Sequence, residues 1–242
     1  MKDPKLKRYD KDFEYSYAFG TYPTIDLLKS KPEKVLKVLL KQEGFGSEGV
    51  NEIVALCEEK GIKYEVNDRV IDKLSVKENT YSIGVFEKYE CEIDKNSNHI
   101  VLDQPRNMGN IGTIIRTMVG FGFKDLILIK PAADIFDPTI VRSAMGALFS
   151  INFKYYDSIE GYSNEFPLHN KYLFMLNGAK NIEEVPFKSP YALVFGTESA
   201  GLSDEYAKLG ESVYIKHEKD IDSLNLSVAV GIALYKSSLN KL

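Results

Sequence analysis

Much is missing from this sequence, and each gap excludes a class of function. Only two cysteines are present, Cys57 and Cys91, and they lack the CxxC spacing of redox and zinc sites. Three scattered histidines add no metal-ligand cluster, so no metal is expected and the thiols read as reduced and structural. No stretch approaches the roughly 18 uninterrupted apolar residues of a membrane helix, and the segment Met1 to Asp12 is charged rather than a signal peptide. A cytoplasmic chain without a membrane partner is expected. The Rossmann GxGxxG and the phosphate-binding GxxxxGK[ST] are absent too, which leaves a dinucleotide cofactor without support. There are no internal repeats and no low-complexity segments.

What is present suits packed cores. Of 242 residues, 44% are hydrophobic and 27% charged, a balance unlike that of disordered chains, and the length suits two domains of ordinary size. The net charge of −4 argues against nucleic acid, because neutralising phosphates with Lys and Arg supplies most non-specific affinity. Its distribution weakens that objection. Residues 1–41 carry ten Lys or Arg against six acids, and residues 42–92 carry six against twelve. Lys29, Lys31, Lys34, Lys37 and Lys41, with only Glu33 among them, read either as an RNA-facing patch or as an ordinary solvated face.

Along the chain, residues 1–20 mix charge with Tyr9, Phe13, Tyr15, Tyr17 and Phe19 without a helical period; they read as a partly packed N-terminal extension, its aromatics anchoring it to its own domain. Residues 21–93 then alternate between helix and strand. A short helical face holds Ile25, Leu27 and Leu28, an apolar run from Val35 to Leu40 resembles a buried strand, a helix is predicted over Val50 to Lys60 with Gly61 as its stop, and Ile62 to Val66, Val70 to Leu74 and Tyr81 to Phe86 follow as strand, helix and strand. Residues 94–98 are polar and aperiodic and fit a linker. From 99 to 242 a second α/β alternation runs. Strands are predicted at His99 to Leu102, Leu126 to Ile129, Ile151 to Tyr155, Tyr172 to Leu176, Ala192 to Phe195 and Val213 to Lys216; helices at Ile111 to Phe121, Pro138 to Leu148 and Leu224 to Leu239. Short Val, Ile and Leu runs between helices indicate a mostly parallel sheet covered on both faces.

Three constellations in that second domain carry chemistry. The first follows strand His99 to Leu102 and contains Asn110, Gly112 and Arg116. Loops at the carboxyl ends of parallel strands are where open α/β sheets bind ligands, and an arginine there offers a fixed donor fork for a phosphate. An ordinary N-cap at Asn110 with an exposed helical arginine would give the same residues. The second is Gly196-Thr197-Glu198-Ser199-Ala200-Gly201-Leu202-Ser203, directly after a strand, which puts Glu198 in the ligand crevice. The third runs from Ile215-Lys216-His217 to an apolar helix whose first turn bears Ser223, Asn225 and Ser227. Free N–H groups at such a helix start can hold a cofactor's polar atoms. Capping explains Ser223 but not the whole cluster.

Taken in order, NxGxxxR (Asn110, Gly112, Arg116), GxExxGLS (Gly196, Glu198, Gly201 to Ser203) and SLNxSVAxGIxLY (Ser223 to Tyr235) closely resemble the SpoU/TrmH family of SPOUT RNA methyltransferases. Residues 25–92 look like that family's N-terminal RNA-binding domain, related in fold to a ribosomal protein, through much less specific features. The resemblance implies an α/β fold with a trefoil-knotted C-terminal domain, a homodimer, S-adenosyl-L-methionine as cofactor, and methyl transfer to a ribose 2′-hydroxyl of RNA, ribosomal RNA favoured over transfer RNA. A silent RNA-binding or ribosome-assembly protein with the same fold is the competing expectation.

By the same resemblance, backbone around Gly196, Ile215 and Leu224, with His217, would bind the cofactor, while Asn110, Arg116, Glu198, Ser223 and Asn225 would serve the reaction. Arg116 is the family's proposed base. A guanidinium with a pKa above about 12 is an awkward base, so holding the target phosphate and stabilising the developing alkoxide suits it better. One departure stands out: the family carries Ile-Pro-Met where this chain has Ile215-Lys216-His217. Retained cofactor binding with altered affinity is expected there.

Overall fold

The computed structural model describes residues 6–75, 79–218 and 220–239. The first five residues of the expected extension, and the last three of the chain, lie outside the described residues. The chain divides into two compact units, one of Met1–Tyr89 with Asp134–Ser150, the other of Glu90–Ala133 with Ile151–Leu242.

The first unit is built on a four-stranded sheet of order β1-β4-β2-β3, with β1 at Tyr15–Phe19, β2 at Val35–Leu40, β3 at Tyr64–Val66 and β4 at Ser82–Glu87. Strand period sorts its side chains onto two faces. Val38 and Leu40 pack with Ile25 and Leu28 of α1 (Thr21–Ser30) and with Val50, Ile53 and Cys57 of α2 (Glu48–Lys60). Leu39 faces the other way, into a cluster with Tyr17, Ile83, Val85 and the Ile71 and Leu74 of α3 (Asp68–Leu74). Gly61, at φ 66, ends α2 as expected.

Two expectations change here. The alternating aromatics of the supposed extension are the period of β1, which pairs antiparallel with β4 so that Tyr17 faces Val85 and is fully buried. The helix predicted over Pro138 to Leu148 stops early: α5 covers Pro138–Ser143, after which Met145 (φ 51) and Gly146 (φ 86) turn left-handed before a short 3-10 turn, Ala147–Ser150. A β-carbon on Gly146 would overlap the Asp26 carboxylate of α1, so tertiary packing selects the break. Although predicted inside the C-terminal domain, this segment clusters with the first unit, where Ser16 Oγ donates to the Phe136 carbonyl at 2.5 Å.

The second unit holds a seven-stranded, all-parallel sheet of order β7-β6-β5-β10-β8-β11-β9. Its strands are β5 (His99–Asp103), β6 (Asp125–Ile129), β7 (Asn152–Tyr156), β8 (Asn170–Phe174), β9 (Lys180–Asn181), β10 (Tyr191–Phe195) and β11 (Glu211–Tyr214). Every residue of β5, β6 and β10 is buried, as a sheet covered on both faces requires. Val101, Ile127, Leu173 and Val194 pack on one face with Ile159 and Tyr162 of α6 (Ile159–Glu165). Elsewhere α7 (Leu226–Ser238) contacts β10, and α4 (Met108–Gly120) packs on α7. The chain steps outward from β5 to β6 and β7, then returns to lay β10 on the other side of β5, so strand order reverses between β5 and β10. Their carboxyl ends therefore flank a crevice.

The polar segment 94–98 is tied down. Asp125 accepts from the Asp94 amide at 3.1 Å and the Ser97 hydroxyl at 2.6 Å, and Asn98 accepts from the Ser189 hydroxyl and the Tyr191 amide. Beside it, His99 is fully buried, with Nε2 2.8 Å from the Asp94 carbonyl and Nδ1 3.0 Å from the Tyr162 hydroxyl. A carbonyl only accepts, so Nε2 carries a proton; burial lowers the ring's pKa to about 4, so at pH 7 it is neutral and Nδ1 accepts from the Tyr162 hydroxyl. His169 stacks on it at 4.1 Å.

Candidate active site

The crevice predicted by the strand-order reversal is a cleft of about 660 Å³, lined by the loops that follow β5, β8, β10 and β11. That size lies within the range of roughly 300–1,000 Å³ usual for small-molecule sites.

After β5, the sequence sets a helix start, but one turn earlier than expected. Asn107 is the N-cap of α4, its Oδ1 accepting from the Asn110 amide at 3.1 Å. Asn110 is thus relieved of capping, and its side chain faces the neighbouring loops. Its Nδ2 donates to Glu198 Oε1 at 3.0 Å, and its Oδ1 accepts from Asn225 Nδ2 at 3.3 Å. One residue from each of the three motifs therefore meets in a single chain of hydrogen bonds. Asn225, rather than Ser223, caps α7: its Oδ1 accepts from the Ser227 amide at 2.9 Å and hydroxyl at 2.7 Å. Ser223 lines the cleft and makes no hydrogen bond with the described residues.

The loop after β10 is shaped by its glycines. Thr197 and Gly201 exchange backbone hydrogen bonds at 3.2 and 3.0 Å, and Gly201 is left-handed at φ 69. This folds the chain back so tightly that a β-carbon on Gly196 would overlap the Gly201 carbonyl carbon and the Leu202 amide. Glycine at 196 is a steric requirement, and it leaves Glu198 exposed at the cleft.

The strand β11 ends at Tyr214, two residues before the predicted end, so Ile215-Lys216-His217 is loop. Ile215, His217, Leu224 and Gly196 all line the cleft, and Lys216 is exposed and not part of the lining. The His217 ring turns back on its own loop, Nδ1 2.9 Å from the Ile215 carbonyl to which it donates. Arg116 does not line the cleft. It is exposed on α4 and makes no hydrogen bond or ion pair with the described residues.

Sequence reasoning missed the contribution of β8. Phe174 and the loop residues Met175, Leu176 and Asn177 form one wall, and Phe174 stacks on Phe195 at 4.4 Å with nearly parallel planes. The predicted strand Tyr172 to Leu176 ran past the actual end at Phe174; the Asn177-Gly178 pair was the available signal, since a β-carbon at Gly178 would overlap the Val213 backbone. Asp204 and Asp222 also line the cleft. At the carboxyl end of β5, burial raises the Asp103 carboxyl above its usual range, a shift reduced by a hydrogen bond from Tyr206.

The apolar walls of Phe174, Ile215 and Leu224, the exposed carboxylates and the glycine-folded backbone suit an amphipathic, cationic nucleoside such as S-adenosylmethionine. No group of three or more His, Cys, Asp or Glu is placed to hold a metal among the described residues, and among them no helix is long and apolar enough to cross a membrane. In the first unit, the lysine run is largely matched by acids: Lys29 pairs with Glu52 at 2.6 Å, Lys41 with Asp72 at 2.9 Å and Lys37 with Glu65 at 3.7 Å, while Lys31 lies over the Tyr89 ring. That favours the solvated-face reading of the run.

Comparison with known proteins gives concordant results. Residues 97–235 match the profile described as the SpoU rRNA Methylase family, and residues 17–80 match the one described as RNA 2′-O ribose methyltransferase substrate binding. The chain is 26% identical over 247 residues to the 23S rRNA (guanosine-2′-O-)-methyltransferase RlmB of Acinetobacter baylyi, covering 93% of this chain and 98% of that protein. It is 28% identical over 141 residues to an uncharacterized tRNA/rRNA methyltransferase of Synechocystis sp., covering 57% of this chain and only 52% of that protein. Among solved structures, the AdoMet-bound rRNA methyltransferase of Sinorhizobium meliloti superposes with a TM-score of 0.80 at 26% identity, covering 95% of this chain and 88% of that one.

Proposed function

The chain belongs to the SpoU rRNA methylase family, and from that premise we propose that it methylates a ribose 2′-hydroxyl of RNA in the cytoplasm, using S-adenosylmethionine, with ribosomal RNA as the substrate class. The observation that carries this reading is the Asn225–Asn110–Glu198 hydrogen-bond chain, which draws all three motifs into one cleft of cofactor size. The bound cofactor supplies an electrophilic methyl group on a sulfonium. The chain's own residues do the rest. Gly196, Ile215, His217 and Leu224 hold the cofactor, with the stacked Phe174 and Phe195 giving an apolar wall.

Asn110 and Asn225, locked to each other and to Glu198, present amide groups of fixed orientation to the ribose, which aligns the attacking oxygen at little further entropic cost. Ser223, without a hydrogen-bond partner among the described residues, completes the polar rim. Arg116 holds the target phosphate and stabilises negative charge as the hydroxyl loses its proton. Since Arg116 lies outside the cleft of its own chain, a second copy is the natural recipient of its guanidinium. The apolar surface available for pairing includes Val228 and Tyr235 of α7 and Val119 of α4, all exposed. Dimerisation and the trefoil knot implied by the resemblance belong to this proposal.

The test is transfer of radiolabelled methyl to bulk ribosomal and transfer RNA, followed by mapping of 2′-O-methyl sites in RNA from cells with and without the gene. One ribosomal site lost without the gene is the expected result. Loss of a transfer-RNA site instead would move the substrate class, and no transfer to either RNA would leave the silent RNA-binding protein as the reading.

A further inference from the structure

Three carboxylates line the cleft: Glu198 after β10, Asp204 at the start of the 3-10 turn Asp204–Lys208, and Asp222 in the loop before α7. No lysine or arginine lines it among the described residues, and His217 is its single basic side chain. Glu198 is engaged by Asn110. Asp204 and Asp222 are different: both are exposed at the cleft and neither makes a hydrogen bond or ion pair with the described residues. Lys216, the nearest base in sequence to His217, is outside the lining. Within the chain, Asp204 and Asp222 thus put negative charge on the walls that no partner among the described residues uses.

Methyl transfer breaks the S–CH₃ bond of a sulfonium, forms an O–CH₃ bond on ribose and releases the hydroxyl proton. The sulfur's positive charge disappears in the process. With its ammonium and carboxylate cancelling, S-adenosylmethionine enters at net +1, and the thioether product, S-adenosylhomocysteine, leaves at zero. Shape distinguishes the two by a single methyl group, whereas charge distinguishes them at every carboxylate.

We propose that Asp204 and Asp222 make the cleft a charge discriminator, which favours the sulfonium form of the cofactor over its thioether product and so expels product after each turnover. This rests on the methyltransferase reading and adds two specificity-determining residues to it. At about 6 Å in bulk-like water, attraction between a carboxylate and a sulfonium is worth about threefold in affinity, so two carboxylates at that range would contribute about tenfold at low salt and less once the Debye length shortens.

Calorimetry on the full chain, at pH 8 to stay above the ordinary imidazole range, measures both ligands at low salt and at about 0.5 M salt. For the unsubstituted chain, S-adenosylmethionine should bind more tightly than S-adenosylhomocysteine, with the ratio shrinking as salt rises. In the Asp204→Asn/Asp222→Asn double variant the ratio should fall about tenfold, while affinity for S-adenosylhomocysteine stays within about twofold, which also reports an intact fold. Binding of both ligands with a ratio that neither the substitutions nor salt alter overturns the inference and leaves the methyltransferase reading standing. If the double variant binds neither ligand, the salt series on the unsubstituted chain decides, and a salt-independent ratio overturns it. Binding of neither ligand by the unsubstituted chain overturns both the inference and the reading beneath it.

Discussion

Lowering the pH from 7 to 5 asks the second unit to accommodate a proton on His99, a side chain with no surface exposed to solvent. The ring is fully buried, and burial, with a smaller contribution from neighbouring His169 and against the favourable Asp94 carbonyl, lowers its pKa from 6.5 to about 4. The unfolded chain therefore binds more protons than the folded one between about pH 6.5 and 4, so stability is full above that window and is lost as pH falls through it. Integrated from pH 7 to 5, the loss is about 2 kcal/mol, rising to about 3 kcal/mol by pH 4. His169, also lowered by burial, adds to the same slope, while Asp103, raised by burial, opposes it.

The comparison that isolates the imidazole is His99→Gln, which keeps hydrogen-bonding capacity and cannot titrate. Urea midpoints at pH 7, 6 and 5, with the m-value checked for constancy, should fall steeply for the unsubstituted protein and flatten in the variant even though the variant is less stable at pH 7. A direct NMR titration of the His99 ring supplies the second readout. An imidazole that titrates near 6.5 in the folded protein, or equal slopes in the two chains, would refute the reasoning.

Arg116→Ala should abolish methyl transfer while calorimetric affinity for S-adenosylmethionine stays within about twofold, because its assigned role is on the RNA phosphate and the developing alkoxide rather than on the cofactor; turnover at the unsubstituted rate would remove Arg116 from the site. Substantial activity in Arg116→Lys would point to charge alone, and an equal loss to the fork geometry. Gly196→Ala places a β-carbon on the Gly201 and Leu202 backbone, an overlap that costs about 1–3 kcal/mol; cofactor affinity should drop with the thermal midpoint, and an unchanged Kd would show that the loop has room. Gly146→Ala combines a left-handed φ of 86 with overlap on Asp26 and should cost at least about 1–2 kcal/mol in urea unfolding. Adding Asp26→Ala, which removes the carboxylate but keeps the overlapping β-carbon, should restore part of that loss, and no restoration would put it on backbone strain and the remaining β-carbon contact.

The parts of the fold legible in the sequence were those governed by local signals. Continuous Val, Ile and Leu runs announced β5, β6 and β10 because these strands are buried on both faces, and the motif residues following β5, β10 and β11 were placed at strand ends, where the cleft lies. What was not legible depended on partners far along the chain. Tyr15, Tyr17 and Phe19 become a strand only because β4 is there to pair with them. The break after Ser143 answers to Asp26, more than a hundred residues earlier. Composition does not tell Asn107 from Asn110 as a cap: both are good caps, and only the Glu198 and Asn225 contacts show which one is free to do something else. Arg116 was grouped with the site by spacing, yet its position on the far turns of α4 takes it out of the cleft that the other motif residues share.

The discontinuity of the first unit bears on how the protein emerges from synthesis. Its sheet is complete in the chain by Glu87, but Ile140, Val141, Leu148 and Phe149, all essentially buried, belong to the same compact unit and are made only after residues 90–133. At about 5–20 residues per second, the nascent sheet waits several seconds for the segment that covers it, with β5, α4 and β6 of the other unit already appearing behind it. For the same reason, cutting the gene at the sheet's last strand would not yield two clean halves: the downstream half would keep Asp134–Ser150 without the unit it packs into, and those four apolar side chains would be bared to solvent and prone to aggregate.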